Sequence, residues 1–102
     1  MNNLVLTSAQ RQHLRRLAHH LKPVVHVGKQ GLTNNIYATL DRELSAHELI
    51  KIKFVDFQDQ KKTMVDELVQ ESQSELIGII GNIAILYRQH TDIGQRQVEL
   101  PV

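Results

Sequence analysis

The chain has 102 residues, of which 41% are hydrophobic, and a formal net charge of +1, values that suit one compact domain with its own core. The absence of cysteine excludes a disulfide scaffold and a thiolate metal site. With only two tyrosines, two phenylalanines and no tryptophan, base stacking on aromatic side chains cannot be a main mode of recognition. The chain starts without a charged leader and no apolar run approaches membrane-spanning length, so we expect a cytoplasmic protein with no membrane partner.

The first predicted element is a helix that begins after Thr7 and is ended by Pro23. Thr7 and Gln10 have the spacing of a capping box, in which each side chain binds the other residue's backbone amide. Apolar residues at helical spacing predict its buried stripe: Leu14, Leu17, Ala18 and Leu21. Basic residues four apart form another row on its surface: Arg11, Arg15 and His19.

A short valine-rich strand, residues 22–27, leads into a loop of sequence Gly28-Lys29-Gln30-Gly31. Glycine permits unusual backbone angles and leaves no Cβ to block a ligand, and a helix start offers free amides to anions. The loop is not a P-loop, because no glycine stands five positions before Gly28 and no Ser or Thr follows Lys29. Two alternatives stay open for the loop by itself, a clamp on a nucleic-acid backbone or a tight strand-to-helix turn.

Thr33 is the predicted cap of a second helix, whose buried stripe is Ile36, Tyr37, Leu40 and Leu44. The strand that follows, residues 48–54, alternates strictly between apolar and basic side chains. Its apolar side chains are Ile50, Ile52 and Phe54. Lys51 and Lys53 point to the opposite face, which predicts that one side of the sheet is open and basic.

Asp56 or Asp59 is predicted to cap a third helix that ends near Ser74. Two apolar strands, residues 76–80 and 83–88, are separated by the hairpin signal Gly81-Asn82. The element order α-β-α-β-α-β-β predicts a two-layer α/β sandwich of the α+β type, a four-stranded mixed sheet with helices on one face. We expect a single domain over residues 1–102, with a core at about 8–88 and a C-terminal tail at 89–102 that is loosely attached from residue 98.

Charge is distributed unevenly along the chain. Residues 1–40 contain five Lys or Arg and no Asp or Glu. The balance is +5 up to residue 53 and −4 from residue 54 onward. A partner with a dense negative backbone is therefore expected at the first half. The alternative is that charges cluster by chance on solvated helix surfaces.

Three separated motifs carry a resemblance to a known family: HVGKQGLT at residues 26–33, HELIKIK at 47–53 and LYR at 86–88. Over about residues 8–88 the chain resembles the CRM domain family (chloroplast RNA splicing and ribosome maturation), most closely its bacterial single-domain YhbY-like members. The resemblance implies a fold similar to the C-terminal domain of the third bacterial translation initiation factor. It also implies RNA binding and, as for the bacterial stand-alone members, association with rRNA in precursors of the large ribosomal subunit.

Carried over position by position, the resemblance places RNA contact on Gly28, Lys29, Gln30 and Gly31. The amides near Leu32 and Thr33 add donors at the helix start. Further RNA contacts are expected among nearby basic residues: Lys22, Arg15, Lys51, Lys53 and Arg88. Solvated surface positions are the alternative for the lysines and Arg15, and a structural ion pair is the alternative for Arg88.

Other classes of function have weaker support in the sequence. The six histidines show no spacing of a known zinc site, so we expect neither a metal nor a cofactor. No nucleophile motif or paired catalytic carboxylates occur, so we expect no enzyme and no small-molecule substrate. The remaining alternative is a protein-interaction module that docks a ribosomal or assembly protein through its acidic second half.

Overall fold

The computed structural model describes residues 5–101, except for the side chain of Gln58. Its elements follow in this order: α1 Ser8–Ala18, β1 Val25–Val27, α2 Asn34–His47, β2 Leu49–Phe54, α3 Lys61–Ser72, β3 Glu75–Ile80 and β4 Ile83–Tyr87. The predicted order of three helices and four strands is confirmed. Within the described residues, no helix has both the length and the apolar character that crossing a bilayer requires.

The four strands form one mixed sheet in the order β1-β2-β4-β3. Strands β1 and β2 are parallel, whereas β4 is antiparallel to both β2 and β3. Gly81 has a φ of 58°, which the tight turn between β3 and β4 requires. The predicted fold class, an α+β domain with a four-stranded mixed sheet, is confirmed. Because β1 is an edge strand, the loop that follows it lies at the border of the sheet.

The helices cover both faces of the sheet, because both faces carry apolar residues on β2 and β4. One core cluster joins the sheet to α2 and α3 and includes Ile50, Ile52, Leu86, Leu40, Leu44 and Leu68. A second cluster on the opposite face joins the sheet to α1 and includes Leu49, Ile85, Tyr87, Leu14 and Ala18. The prediction of helices on one face is therefore correct for α2 and α3 and wrong for α1.

Local signals explain where most helices begin. Thr7 and Gln10 form the predicted capping box, and the Thr33 side chain accepts from the Ile36 amide at 3.2 Å. The predicted aspartate cap of α3 is wrong, because Asp56 instead accepts from the Phe57 amide and the helix begins without a side-chain cap. The reason is a short 3-10 turn, Gln58–Gln60, which contains Asp59 and separates Asp56 from the helix.

The predicted buried stripe of α1 is correct only in part. Leu14 and Ala18 are fully buried, whereas Leu17 and Leu21 are 40% and 38% exposed. Leu21 lies after the end of the helix at Ala18, and Leu17 belongs to neither core cluster. These two leucines therefore form an apolar surface beside the sheet.

The C-terminal segment, residues 89–101, is held by a buried carboxylate. Glu48, predicted in a strand, ends α2 at a φ of 65° and is 1% exposed. Its two oxygens accept from the amides of His90, Gln97 and Val98 at 2.6 to 2.8 Å. The prediction of a loosely attached tail is wrong for residues 98–101, and residue 102 lies outside the described residues.

Apolar contacts and burial complete this arrangement. Val98 and Leu100 pack against the second core cluster, and the Pro101 carbonyl accepts from the Gln10 side chain at 2.9 Å. Burial, together with the nearby Glu48 carboxylate, raises the pKa of Tyr87 to about 12. The Tyr87 and Glu48 side chains are thus buried together at the end of β4.

Candidate nucleic-acid interface

The glycine loop, residues 28–31, connects β1 to α2 as a compact turn. The Gly31 amide donates to the Gly28 carbonyl at 3.0 Å, which closes the turn. At its start, the Val27 carbonyl accepts from the amides of Val55 and Asp56, which follow β2. The loop is therefore anchored to the sheet at its base, while its tip is left to solvent.

The two glycines have different physical roles. Gly31 is buried and has a φ of 71°, a left-handed conformation that other residues adopt with strain. A Cβ at Gly31 would make ordinary contacts with Met64 and Phe57, so backbone conformation rather than space favours glycine there. A Cβ at Gly28 would meet no atom within 4 Å, so a ligand can approach this part of the backbone closely.

Lys29 and Gln30 form the exposed tip of the loop. Their backbone amides have no hydrogen-bond partner among the described residues, and neither does the amide of Leu32. The Thr33 cap starts α2 directly after the loop, so the positive end of a 14-residue helix lies next to these amides. An ammonium group, unpaired amides and a helix N-terminus can together bind phosphate oxygens.

The field around the loop is not uniformly positive. Asp56 and Asp59 are exposed on the segment after β2, and the Asp56 amide bonds to the base of the loop at Val27. The charge asymmetry of the sequence did not reveal this proximity, because these aspartates belong to the acidic half. The cationic surface is therefore bounded by carboxylates on the side that leads to α3.

The predicted basic face of the sheet is present over part of its area. His26 of β1 pairs in register with Lys53 of β2, and both side chains are exposed. Lys51 is half-buried, and its Nζ donates to the Leu21 carbonyl at 3.0 Å. We call His26, Lys51 and Lys53 the open sheet face. His26 was not among the predicted contacts, although the Val25-His26-Val27 alternation could have identified it as exposed.

The arginine row of α1 fastens the helix to the edge strand β3. Arg11 donates from Nη1 to the Leu76 carbonyl at 2.7 Å, and Arg15 from Nη1 to the Ile77 carbonyl at 3.0 Å. Both carbonyls belong to an irregular part of the strand, where the register shifts between Leu76 and Gly78. Arg15 is exposed but already has one structural bond, and Lys22 is exposed after α1.

Comparison with known proteins identifies the family. The family model described as the CRS1 / YhbY (CRM) domain matches residues 6–88, which include the glycine loop and the whole sheet. The chain belongs to the CRM domain family. The match begins just before the Thr7 cap of α1 and ends just after β4, so it covers all three helices and four strands of this CRM domain.

The relatives of this CRM domain are similar to it in sequence over most of the chain. "Probable RNA-binding protein PA4753" of Pseudomonas aeruginosa is 40% identical over 88 residues, covering 85% of each chain. "Probable RNA-binding protein YqeI" of Bacillus subtilis is 37% identical over 98 residues, covering 95% of this chain and all of the relative. The solution structure of hypothetical protein SAV1595 from Staphylococcus aureus has a TM-score of 0.78 and 34% identity, covering 95% of this chain and 100% of that one. Both relatives carry names that describe them as probable RNA-binding proteins.

Arg88 has structural partners in this CRM domain. Its guanidinium donates to Asp41 Oδ1 and to the Asp41 carbonyl at 2.9 and 3.0 Å, to Ser45 Oγ at 2.9 Å and to the Ser72 carbonyl at 3.0 Å. It thereby joins the end of β4 to α2 and to the end of α3. The structure therefore shows the ion pair that the sequence left as the alternative role, and RNA contact by Arg88 stays a prediction.

Replacing Arg88 with alanine is expected to lower the free energy of unfolding by about 1–3 kcal/mol, because the Ser72 carbonyl and Asp41 lose a charged donor. A structural role alone leaves the slope of RNA affinity against salt unchanged. Urea unfolding and salt titration measure the two effects, and Arg42→Ala, at an exposed position of α2, is the matched control. A smaller salt slope for Arg88→Ala would instead assign the guanidinium to a phosphate.

Proposed function

We propose that this CRM domain binds rRNA in precursors of the large ribosomal subunit and assists their assembly without catalytic turnover, in the cytoplasm. The observation that carries the proposal is the exposed tip of the glycine loop, where Lys29 and Gln30 offer unpaired amides beside the start of α2. Such a site recognises the sugar-phosphate backbone rather than one base sequence. Two relatives are named as probable RNA-binding proteins, which supports RNA as the partner.

The proposed binding surface extends from the loop along β1. The proposed loop contacts are Gly28, Lys29, Gln30, Gly31, Leu32 and Thr33. The open sheet face continues this surface, and Lys22 lies at its far end. Arg15 is a separate proposed contact, because its guanidinium bonds to Ile77 on β3, at the opposite edge of the sheet from β1. Because Lys51 and Arg15 already have one protein partner each, we expect Lys29 and Lys53 to contribute more to affinity.

Crosslinking in cells, followed by sequencing of the attached RNA, tests this function. We expect reads enriched in rRNA of the large subunit and particles that sediment with its precursors. Mass spectrometry of the same material is expected to find crosslinked nucleotides on the peptide that contains Lys29. Reads spread over messenger RNA, or crosslinks confined to α3, would contradict the proposal.

A second candidate function is docking of a ribosomal or assembly protein through the acidic half. Tyr37, Asp41, Glu67 and Glu71 line a shallow depression between α2 and α3. Burial and the carboxylates of Glu67 and Glu71 raise the pKa of Tyr37, which reflects the negative charge concentrated there. Docking through an acidic surface also weakens with salt, so charge reversal separates the functions: replacing Glu67 and Glu71 with lysine is expected to weaken binding to a ribosomal or assembly protein and to leave binding to free RNA unweakened.

A further inference from the structure

An apolar groove lies beside the proposed RNA surface, at the opposite end of β1 from the glycine loop. It has a volume of about 960 Å³ and runs between the end of α1, the start of β2 and the C-terminal segment. Its apolar lining includes Leu17, Leu21, Val24, Leu49, Val98 and Leu100. Clefts of this size and character are typical of ligand sites in folded proteins.

The groove is built by specific contacts. On one wall, Leu17, Leu21 and Val24 are each 36–40% exposed, although Leu17 and Leu21 belong to the predicted buried stripe of α1. The other wall is fixed by Glu48, which accepts from the amides of Gln97 and Val98. His13 Nε2 also lies 2.9 Å from the Glu99 carbonyl and joins α1 to that wall. The buried Glu48 carboxylate thus fixes the C-terminal segment as the wall of the groove that faces α1.

Polar side chains indicate what the groove receives. Lys22 and Glu99 line it with opposite charges, and His13 and His47 add ring nitrogens, of which His13 Nε2 faces the Glu99 carbonyl. The wall of Leu17, Leu21 and Val24 comes from residues 1–40, which contain no Asp or Glu. The chemistry fits a ligand with an apolar face and a negative group, and it disfavours a strongly basic protein segment.

The groove is also continuous with the open sheet face. Lys51 Nζ donates to the carbonyl of Leu21, a lining residue, and Lys53 follows Lys51 on the same face of β2 towards the glycine loop. Val24 and Gly28 are four positions apart along β1, which corresponds to about 13 Å in an extended strand. A few nucleotides of unpaired RNA can span this distance between the loop and the groove.

We propose that an unpaired nucleotide of the bound RNA enters the apolar groove, with its base against Leu17 and Leu21 and its phosphate near Lys22. This inference rests on the proposed RNA-binding function and specifies the RNA as one that carries a bulge or a flexible single-stranded segment. Aliphatic side chains cover the face of any base, so the groove reads the absence of pairing rather than the sequence. The glycine loop supplies binding to the RNA backbone, and the groove adds preference for unpaired RNA.

The test compares two short RNA hairpins, one with an unpaired bulge and one fully paired, by fluorescence anisotropy at one salt concentration. We expect the wild-type protein to bind the bulged hairpin about tenfold more tightly. Leu21→Gln is expected to reduce this ratio to below about twofold, because the polar amide opposes burial of a base. Leu17→Gln changes a second residue of the same wall and is expected to have the same effect, with an unchanged thermal unfolding midpoint. Ile93→Gln is the control, an equivalent change at a residue that is 74% exposed and does not line the groove.

Several outcomes overturn the inference, and each is distinguishable from failure of the proposed function. The inference is overturned when both leucine variants prefer the bulged hairpin over the paired one as strongly as the wild type does. The proposed function is tested separately, by the fall in RNA affinity when Lys29 and Gln30 are replaced. Equal weakening towards both hairpins also overturns it, because the contact is then not with an unpaired base. A third outcome is that the leucine variants bind both hairpins as the wild type does but no longer sediment with ribosomal precursors. This would assign the groove to a protein partner and would also overturn the inference.

Discussion

Replacing both Lys29 and Gln30 with aspartate is expected to weaken RNA binding by about 10- to 100-fold at low salt. The two carboxylates place negative charge where the exposed loop tip offers an ammonium group and unpaired amides. The slope of log affinity against log salt is expected to fall by about one for each phosphate that the variant no longer neutralises. Anisotropy titrations over a range of salt concentrations measure both quantities. The fold is expected to stay intact, because both side chains are exposed and neither backbone amide is bonded.

The matched control makes the same change in charge away from the glycine loop. Arg42 and Gln70 are exposed on α2 and α3, and replacing both with aspartate changes the net charge by the same amount as the loop variant. We expect the control to change affinity by less than about threefold, since exposed charges beyond a Debye length are screened. Equal weakening by both variants would mean that net charge, not the glycine loop, determines binding. Unchanged affinity in the loop variant would reject the role of the loop.

Replacing Glu48 with alanine is expected to lower the free energy of unfolding by about 2–4 kcal/mol. Three backbone amides lose their charged acceptor, and the packing of Val98 and Leu100 against the second cluster weakens as the segment detaches. Rehydration of the released amides limits the destabilisation, because residues around 97 and 99 are already exposed. Urea unfolding measures the effect, and protease digestion is expected to cut the C-terminal segment first.

Two further variants show whether the carboxylate itself is responsible. Glu99→Ala removes an exposed acid from the same segment and is expected to change stability by less than about 0.5 kcal/mol. Glu48→Gln keeps one acceptor for Gln97 and Val98 but turns an NH₂ group towards the His90 amide, so we expect an intermediate destabilisation. Wild-type stability of Glu48→Ala would show that apolar packing alone holds the segment.

Local signals predicted the elements well because they act within a few residues. The Thr7 capping box, the Thr33 cap and the Gly81-Asn82 turn each depend on backbone geometry that neighbouring residues fix. The strict alternation of β2 predicted which residues enter the core next to α2 and α3. The glycine loop was identifiable for the same reason, since strand, glycines and helix cap are consecutive in the chain.

Contacts between distant residues were not predictable in this way. Arg88 meets Asp41 across 47 positions, and Glu48 meets the Val98 amide across 50. Nothing near Glu48 in the chain indicates that its carboxylate is buried, because the amides that satisfy it belong to a segment without regular structure. The proximity of Asp56 to the base of the loop likewise depends on the pairing of β1 with β2.

By itself, the sequence of this CRM domain determined the order of its elements, its glycine loop and its uneven charge, because periodicity, caps and composition are local properties of the chain. Only the tertiary structure decided which face of the sheet α1 covers, since β2 and β4 carry apolar residues towards both faces and periodicity does not say which helix meets which face. It also decided that Leu17 and Leu21 line a groove instead of a core. That outcome depends on the C-terminal segment, which is held in place by hydrogen bonds from its amides to the Glu48 carboxylate.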